Sequence, residues 1–389
     1  MTQLMHGFPP TPDGQVTLAN WRTSPFNRWA FHHVREIVPS ADIANDPASA
    51  LAWPSASADL GALGIDEFFD ATDTDGLVIA RRGRIVYERY ANGMTADSPH
   101  ILMSVSKSML GLLAGVLTAL GHLDLERAVT DIVPEIAGTA YDGATVRQLL
   151  DMRVGIAFDE DYLATSGPII AYRKAVNWNP LEPGETPSDL RSFYRELTKS
   201  SGPHGGAFNY VSPNTDLLGW VIERTTGRRY ADLMSELIWK PMGAGRSAYI
   251  TVDRLGAPRC AGGMCMTARD LARVGQLVAQ GGARGAMQIV PERWIDDIAD
   301  NGDRAAWDAG SFTAYFPGRA IHYRSKWYVE RGTTPVLFGL GIHGQHLYVD
   351  RRHEIVIAKL SSQALPIDEA RIARTTQTVG QILHGLQAW

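Results

Sequence analysis

Cysteine is nearly missing from this chain: Cys260 and Cys265 are the only two among 389 residues. Two thiols make no disulfide framework, and their neighbours do not give the spacing of a metal site. Two ordinary buried thiols are expected, with a single pairing as the alternative. The chain also lacks any uninterrupted apolar run of about 18 residues, so no membrane-spanning helix is expected. Lys107 and His122 bracket its most apolar segment. Basic charge is not in excess, since 37 Lys and Arg stand against 42 Asp and Glu for a formal net charge of -5. That balance leaves no footprint for nucleic acid. The opening Met1-Thr2-Gln3-Leu4-Met5-His6-Gly7 has no basic stretch leading into an apolar one, so no signal peptide is expected and a soluble, cytoplasmic protein is.

What is present is a globular composition, with 45% apolar and 20% charged residues. A chain of 42.5 kDa can bury a large core, as two lobes or as one extended α/β domain with insertions. Residues 1–75 read as an N-terminal arm, rich in Pro, Ser, Asp and Trp, with one short helix near 65–69. Residues 76–80 and 84–90 then form a hairpin about Arg82-Gly83. From 104 to 120 apolar residues fall at helical spacing on nearly every face, and Gly111 and Gly115 allow close packing, which predicts a central buried helix. Short helices follow at 129–133 and 146–152, the second capped by Thr145. A loop-rich stretch at about 155–205 has the character of a substrate-binding loop. Helical patterns return at 214–226, 230–238 and 268–279, with Gly227 as a stop and Thr267 as a cap. The last third alternates as strands at 327–330, 339–343, 345–349 and 354–360, with Arg351-Arg352 turning the last pair, and ends in a helix at 369–386. The chain is thus expected to start an antiparallel sheet at 76–100, leave it to build a mainly helical lobe over 101–279, and return over 280–389 to finish the sheet. A site is expected in the cleft between lobes.

Three places carry chemistry. Ser104 and Lys107 lie three residues apart at the start of the apolar helix, hence on one face, and Lys107 is followed at once by Ser-Met-Leu-Gly-Leu-Leu. A lysine held against an apolar core tends to lose its proton, which makes the serine a candidate nucleophile. A cap serine followed by a snorkelling lysine is the alternative. Tyr210, in Phe208-Asn209-Tyr210-Val211-Ser212-Pro213-Asn214, is a candidate proton shuttle if a nearby ammonium lowers its pKa, or else an aromatic wedge before a helix. Gly339-Leu340-Gly341-Ile342-His343-Gly344-Gln345 has the glycines to bring a strand edge close to a ligand, where its N–H groups would join that of Ser104 as an oxyanion hole. His343 is either a donor in the site or a packed strand histidine.

Together with Asn27-Arg28-Trp29-Ala30-Phe31, Tyr141-Asp142-Gly143, Asp159-Glu160-Asp161-Tyr162, Asn214-Thr215-Asp216 and Thr267-Ala268-Arg269-Asp270-Leu271-Ala272-Arg273, these segments resemble the serine β-lactamase-like superfamily. The branch is the one holding class C β-lactamases, D-alanyl-D-alanine carboxypeptidases and esterases, and within it the 6-aminohexanoate-dimer (nylon-oligomer) hydrolases. The resemblance implies an α/β (α+β) transpeptidase-like fold, an antiparallel sheet flanked by helices with an inserted mainly helical lobe. It implies Ser104 as the acylated nucleophile, Lys107 as its activator, Tyr210 as proton shuttle, and the N–H groups of Ser104 and Ile342 as oxyanion hole. It further implies Tyr162, Arg173, Ala261, Trp327 and His343 as substrate contacts, no cofactor or metal, a small ester or amide as substrate and water as acyl acceptor, and it leaves a homodimer open. Four features depart from the family pattern: the usual Tyr-x-Asn is Tyr210-Val211-Ser212 here, as it tends to be in the nylon-hydrolase branch, and Ala261 stands for a polar contact before Gly262-Gly263. Ile342-His343-Gly344 replaces a lysine–threonine–glycine element and so removes the cationic anchor of a β-lactam carboxylate. Arg173 stands where a carboxylate would receive a substrate ammonium, which favours an anionic or neutral acyl group. Serine hydrolysis of small esters or linear amides is the expected activity. A D-amino-acid amidase or peptidase, a weak β-lactamase and a non-catalytic penicillin-recognising domain are the alternatives.

Overall fold

The computed structural model describes residues 3–56, 58 and 60–387. Its centre is an antiparallel sheet of seven strands in the spatial order Arg84–Tyr90, Thr74–Arg81, Ile355–Ser361, Gln345–Asp350, Val336–Gly341, Trp327–Glu330 and Ile321–Arg324. The first two strands are the hairpin expected about Arg82-Gly83. Alternate residues of each strand feed opposite cores, as the two-residue period of a strand requires. Val78 and Ala80 join Val356 and Leu347 beneath the helical side, while Leu77 and Ile79 join Ile357 and Tyr348 beneath the C-terminal helix Glu369–Gln387. Thr74–Arg81 and Ile355–Ser361 are buried at every position because both faces are covered.

Helix Val105–Ala119 is buried without interruption from Val105 to Leu117. The expected role of its glycines is met: a Cβ on Gly111 would lie 2.1 Å from the Ser325 carbonyl oxygen, and one on Gly115 would lie 2.4 Å from the Trp294 ring. Thr145 closes a capping box over Val146–Leu150, Thr267 caps Ala268–Ala279, and Gly227 ends Pro213–Thr226 with a φ of 66°. Both cysteines are free and buried.

Several features were not expected, among them helix Pro168–Ala175 inside the stretch read as loop and helices Glu292–Asp300 and Arg304–Asp308 ahead of the C-terminal strands. Strand Ile321–Arg324 extends the main sheet, and a second sheet joins Ser40–Ile43, Ala248–Thr251, Met264–Met266 and His100–Ile101. This small sheet matters for the site. Its Met264 accepts the Leu102 N–H at 2.8 Å and donates its own N–H to Ser106 Oγ at 3.1 Å, which fixes the entry to the long helix. No helix among the described residues is long and apolar enough to cross a membrane.

Candidate active site

Ser104 sits just before the first turn of the buried helix, and Met103 ahead of it holds a left-handed φ of 45°. Such a conformation is costly for a side chain other than glycine and is kept where the surroundings demand it. Lys107, one turn on and 1% exposed, donates from Nζ to Ser104 Oγ at 2.8 Å and to the Ala261 carbonyl at 2.7 Å. Burial, with a smaller push from the Arg259 guanidinium, lowers its pKa to about 7 against the opposing pull of Glu160 and Asp216. A large fraction of Lys107 is therefore neutral near pH 7, able to take a proton from the hydroxyl it touches.

Tyr210 lies with its ring centroid 4.8 Å from Lys107 Nζ and stacks on Phe312 at 4.6 Å. The expectation that an ammonium would lower its pKa does not hold. Burial and then the Glu160 carboxylate raise it, and the hydrogen bond with Ser104 only partly opposes them. Because its amine neighbour is itself driven toward neutrality, the phenol stays protonated and is a donor, not a resident phenolate. Glu160 is a residue to which sequence reasoning gave no role. It accepts the Ser212 N–H at 2.5 Å, the Ser212 hydroxyl, and the Tyr162 hydroxyl at 3.1 Å. Asp216 likewise went unassigned, although it accepts the Ala261 N–H at 2.7 Å and pairs with Arg259.

The glycines at the end of strand Val336–Gly341 serve a closer contact than the ligand approach expected of them. A Cβ on Gly339 would lie 2.9 Å from Ser108 Oγ, and one on Gly341 would lie 2.6 Å from the Leu102 carbonyl and 3.0 Å from Met103 Cβ. They let the strand press on the turn that carries Ser104, which brings Ile342 to the cleft beside it. Among the described residues neither the Ser104 nor the Ile342 N–H has a hydrogen-bond acceptor, so both are free to receive a carbonyl oxygen.

Two cavities meet at Ser104 and share Tyr162 and Ile342. One, of about 80 Å³, is walled by Tyr210, Phe312, Tyr315, Phe316, Tyr328 and Tyr348. The other, of about 30 Å³, holds Arg22, Arg173, Arg259 and Glu160 against Trp178 and Ala261. Tyr162, Arg173 and Ala261 are thus brought to the cleft, Ala261 chiefly through its backbone. Two expected contacts are not. Trp327 is fully buried in the core on the opposite face of its strand, and the next residue, Tyr328, faces the cavity instead; a shift of one residue reverses the face. His343 is 3% exposed, lies at a φ of 61° in a turn, bonds through Nδ1 with the Gln363 carbonyl at 2.8 Å, and packs edge-on to Phe31. Burial lowers its pKa to about 4, so it is a neutral packing residue. Arg22 and Arg259 were missed. Nothing local marks them, beyond the place of Arg259 two residues before Ala261.

The model of the family described as Beta-lactamase matches residues 65–380. The chain belongs to the β-lactamase family. Among curated relatives of this β-lactamase-family chain, 6-aminohexanoate-dimer hydrolase from Paenarthrobacter ureafaciens is 36% identical over 358 residues, covering 91% of this chain and 90% of the relative. Esterase EstB from Burkholderia gladioli is 28% identical over 196 residues, covering 45% of this chain and 47% of the relative. A solved structure from Bacillus anthracis, provisionally named a 6-aminohexanoate-dimer hydrolase, superposes with a TM-score of 0.87 at 29% identity, covering 98% of this chain and 99% of that one. This β-lactamase-family protein is a serine-hydrolase-like enzyme of the acyl-enzyme type, with the antiparallel sheet and flanking helices of that fold.

Proposed function

We propose that this chain hydrolyses small carboxylic esters, and linear amides more slowly, through an acyl-enzyme on Ser104. The observation that carries the reading is the contact of a largely neutral, buried Lys107 with the Ser104 hydroxyl at 2.8 Å. Lys107 takes the hydroxyl proton as Oγ attacks the substrate carbonyl, and the N–H groups of Ser104 and Ile342 hold the oxyanion. When the tetrahedral intermediate collapses, Tyr210 protonates the leaving oxygen or nitrogen and is reprotonated by the Lys107 ammonium, so the proton taken from serine ends on the leaving group. Water then attacks the acyl-enzyme along the same path, giving a proton to the Tyr210–Lys107 pair; collapse returns one to Ser104 and releases the acid.

Esters need less help at the leaving atom than amides, which places esters first. The name of the 36%-identical relative keeps linear amides in scope, while Arg173 beside the cleft disfavours an acyl chain ending in an ammonium. Turnover of p-nitrophenyl butyrate tests the reading. The parent is expected to hydrolyse it and to gain the butyryl mass on Ser104 when quenched early. A Ser104→Ala variant as active as the parent would sink the mechanism.

A further inference from the structure

The arginine-lined cavity beside Ser104 is an unusual concentration of positive charge. Its charged lining residues are Arg22, Arg173, Arg259 and Glu160. Of the three arginines, only Arg259 is in an ion pair among the described residues, with Asp216. Arg173, 9% exposed, donates to the backbone carbonyls of Tyr162 at 2.9 Å and Ala164 at 3.4 Å, and Arg22 donates to Asn179 Oδ1 at 2.5 Å. Among the described residues neither has a carboxylate partner at ion-pair distance. The Nε atoms of Arg22 and Arg259 are buried without any acceptor. Glu160 sets one carboxylate against the three guanidiniums of the lining, with its oxygens held by Ser212 and Tyr162. Burial first, and then repulsion from Arg173 and Arg259, lowers the pKa of Arg22 to about 9.

Tyr210 lines the aromatic cavity and not this one. If Tyr210 protonates the leaving group, the leaving group lies on the aromatic side and the acyl chain runs toward the arginines. We infer that the Arg22–Arg173 cavity receives a carboxylate at the far end of the acyl chain, so that the preferred substrates are half-esters or half-amides of small dicarboxylic acids. This rests on the acyl-transfer reading above. Planar guanidiniums pair with a carboxylate in a fork geometry, and burial strengthens each such bond.

The test compares mono-p-nitrophenyl esters of succinic, glutaric and adipic acid with the neutral p-nitrophenyl pentanoate and hexanoate, each corrected for spontaneous hydrolysis. The best anionic ester is expected to exceed the best neutral one in kcat/KM by about 10- to 100-fold, the range set by one or two charge-assisted hydrogen bonds. Arg173→Gln and Arg22→Gln should each collapse that ratio toward one, and rising salt should shrink it in the parent. Because the ratio is read first in the parent, misfolding of a variant leaves the test intact; competitive inhibition of pentanoate ester hydrolysis by free glutarate in the parent is the second readout. A parent that hydrolyses neutral esters with a ratio at or below one overturns the carboxylate site and leaves the acyl-transfer reading standing. A parent that hydrolyses no ester above the Ser104→Ala background overturns both.

Discussion

The two cavities that meet at Ser104 are built differently. The aromatic one takes one side from adjacent strands of the main sheet, where Phe338 stacks between Tyr328 and Tyr348, and another from Tyr210, Phe312, Tyr315 and Phe316 outside the sheet. The cationic one is gathered from distant segments: Arg22 in the arm, Glu160 and Tyr162 in a loop, Arg173 on helix Pro168–Ala175, and Arg259 in the connection between strands Ala248–Thr251 and Met264–Met266 of the small sheet. Between them lie Ser104, Lys107 and the Ile342 turn. In the proposed reading the reaction chemistry is common to both sides, whereas selection is divided: an apolar wall for one half of the substrate and charge for the other.

The largest expected effect should ignore the division. Lys107→Met removes the proposed base, shared by both sides, and kcat/KM should fall roughly 10⁴-fold or more for anionic and neutral esters alike. The same variant should be more stable than the parent at neutral pH by on the order of a few kcal/mol, read by denaturant titration. The sign follows from the folded pKa of about 7 lying below that of a free lysine. The unfolded chain binds the extra proton, so the penalty is complete below about pH 7 and shrinks as pH rises toward the free value. In the parent, kcat/KM should climb with pH through the same region, and Glu160→Gln, which removes a carboxylate favouring the ammonium, should move that limb to lower pH.

Tyr210→Phe belongs to the aromatic side, and its cost should depend on the leaving group. A loss of about 10² to 10⁴-fold is expected on anilides, where the departing nitrogen needs a proton, and much less on p-nitrophenyl esters. Equal losses on both would place Tyr210 outside proton delivery. Gly341→Ala forces a methyl against the Leu102 carbonyl and Met103, so the Ile342 N–H should shift and kcat fall about 10²-fold with KM changed little. The smallest effect is expected from Phe312→Ala, which removes the ring stacked on Tyr210. Losing that stack and its apolar wall should raise KM for aryl esters by about tenfold, while the anionic-to-neutral acyl ratio stays where it is. A change in that ratio would mean the two cavities are not independent.

How much of this was legible in the chain follows from how local each signal is. Ser104 and Lys107 share one helical turn, and the caps at Thr145, Thr267 and Gly227 are single-residue signals that act on their nearest neighbours; all fell where expected. The long strands were visible as apolar runs, but a strand buried on both faces does not announce which side holds the cavity. Trp327 was carried over by the resemblance, and the register of its strand turns Tyr328 to the cavity instead. The small sheet escaped because its strands are two to four residues long and draw partners from all over the first 266 residues. His343 reads as a strand donor by position, yet a left-handed turn sends its ring toward Phe31. The arginines become a group only when the long stretch of chain between Arg22 and Arg259 has folded.

One buried side chain constrains how such an enzyme can diverge. Asp216 accepts the N–H of Ala261, whose carbonyl seats Lys107, and it also grips Arg259 of the cationic cavity. A change there alters pace and preference together. Arg22 and Arg173 hang instead on an amide and on loop carbonyls, outside the proton path. Substrate range can drift through those two positions under selection while the reaction machinery stays untouched, and a lineage exploring new acids would leave its record there first.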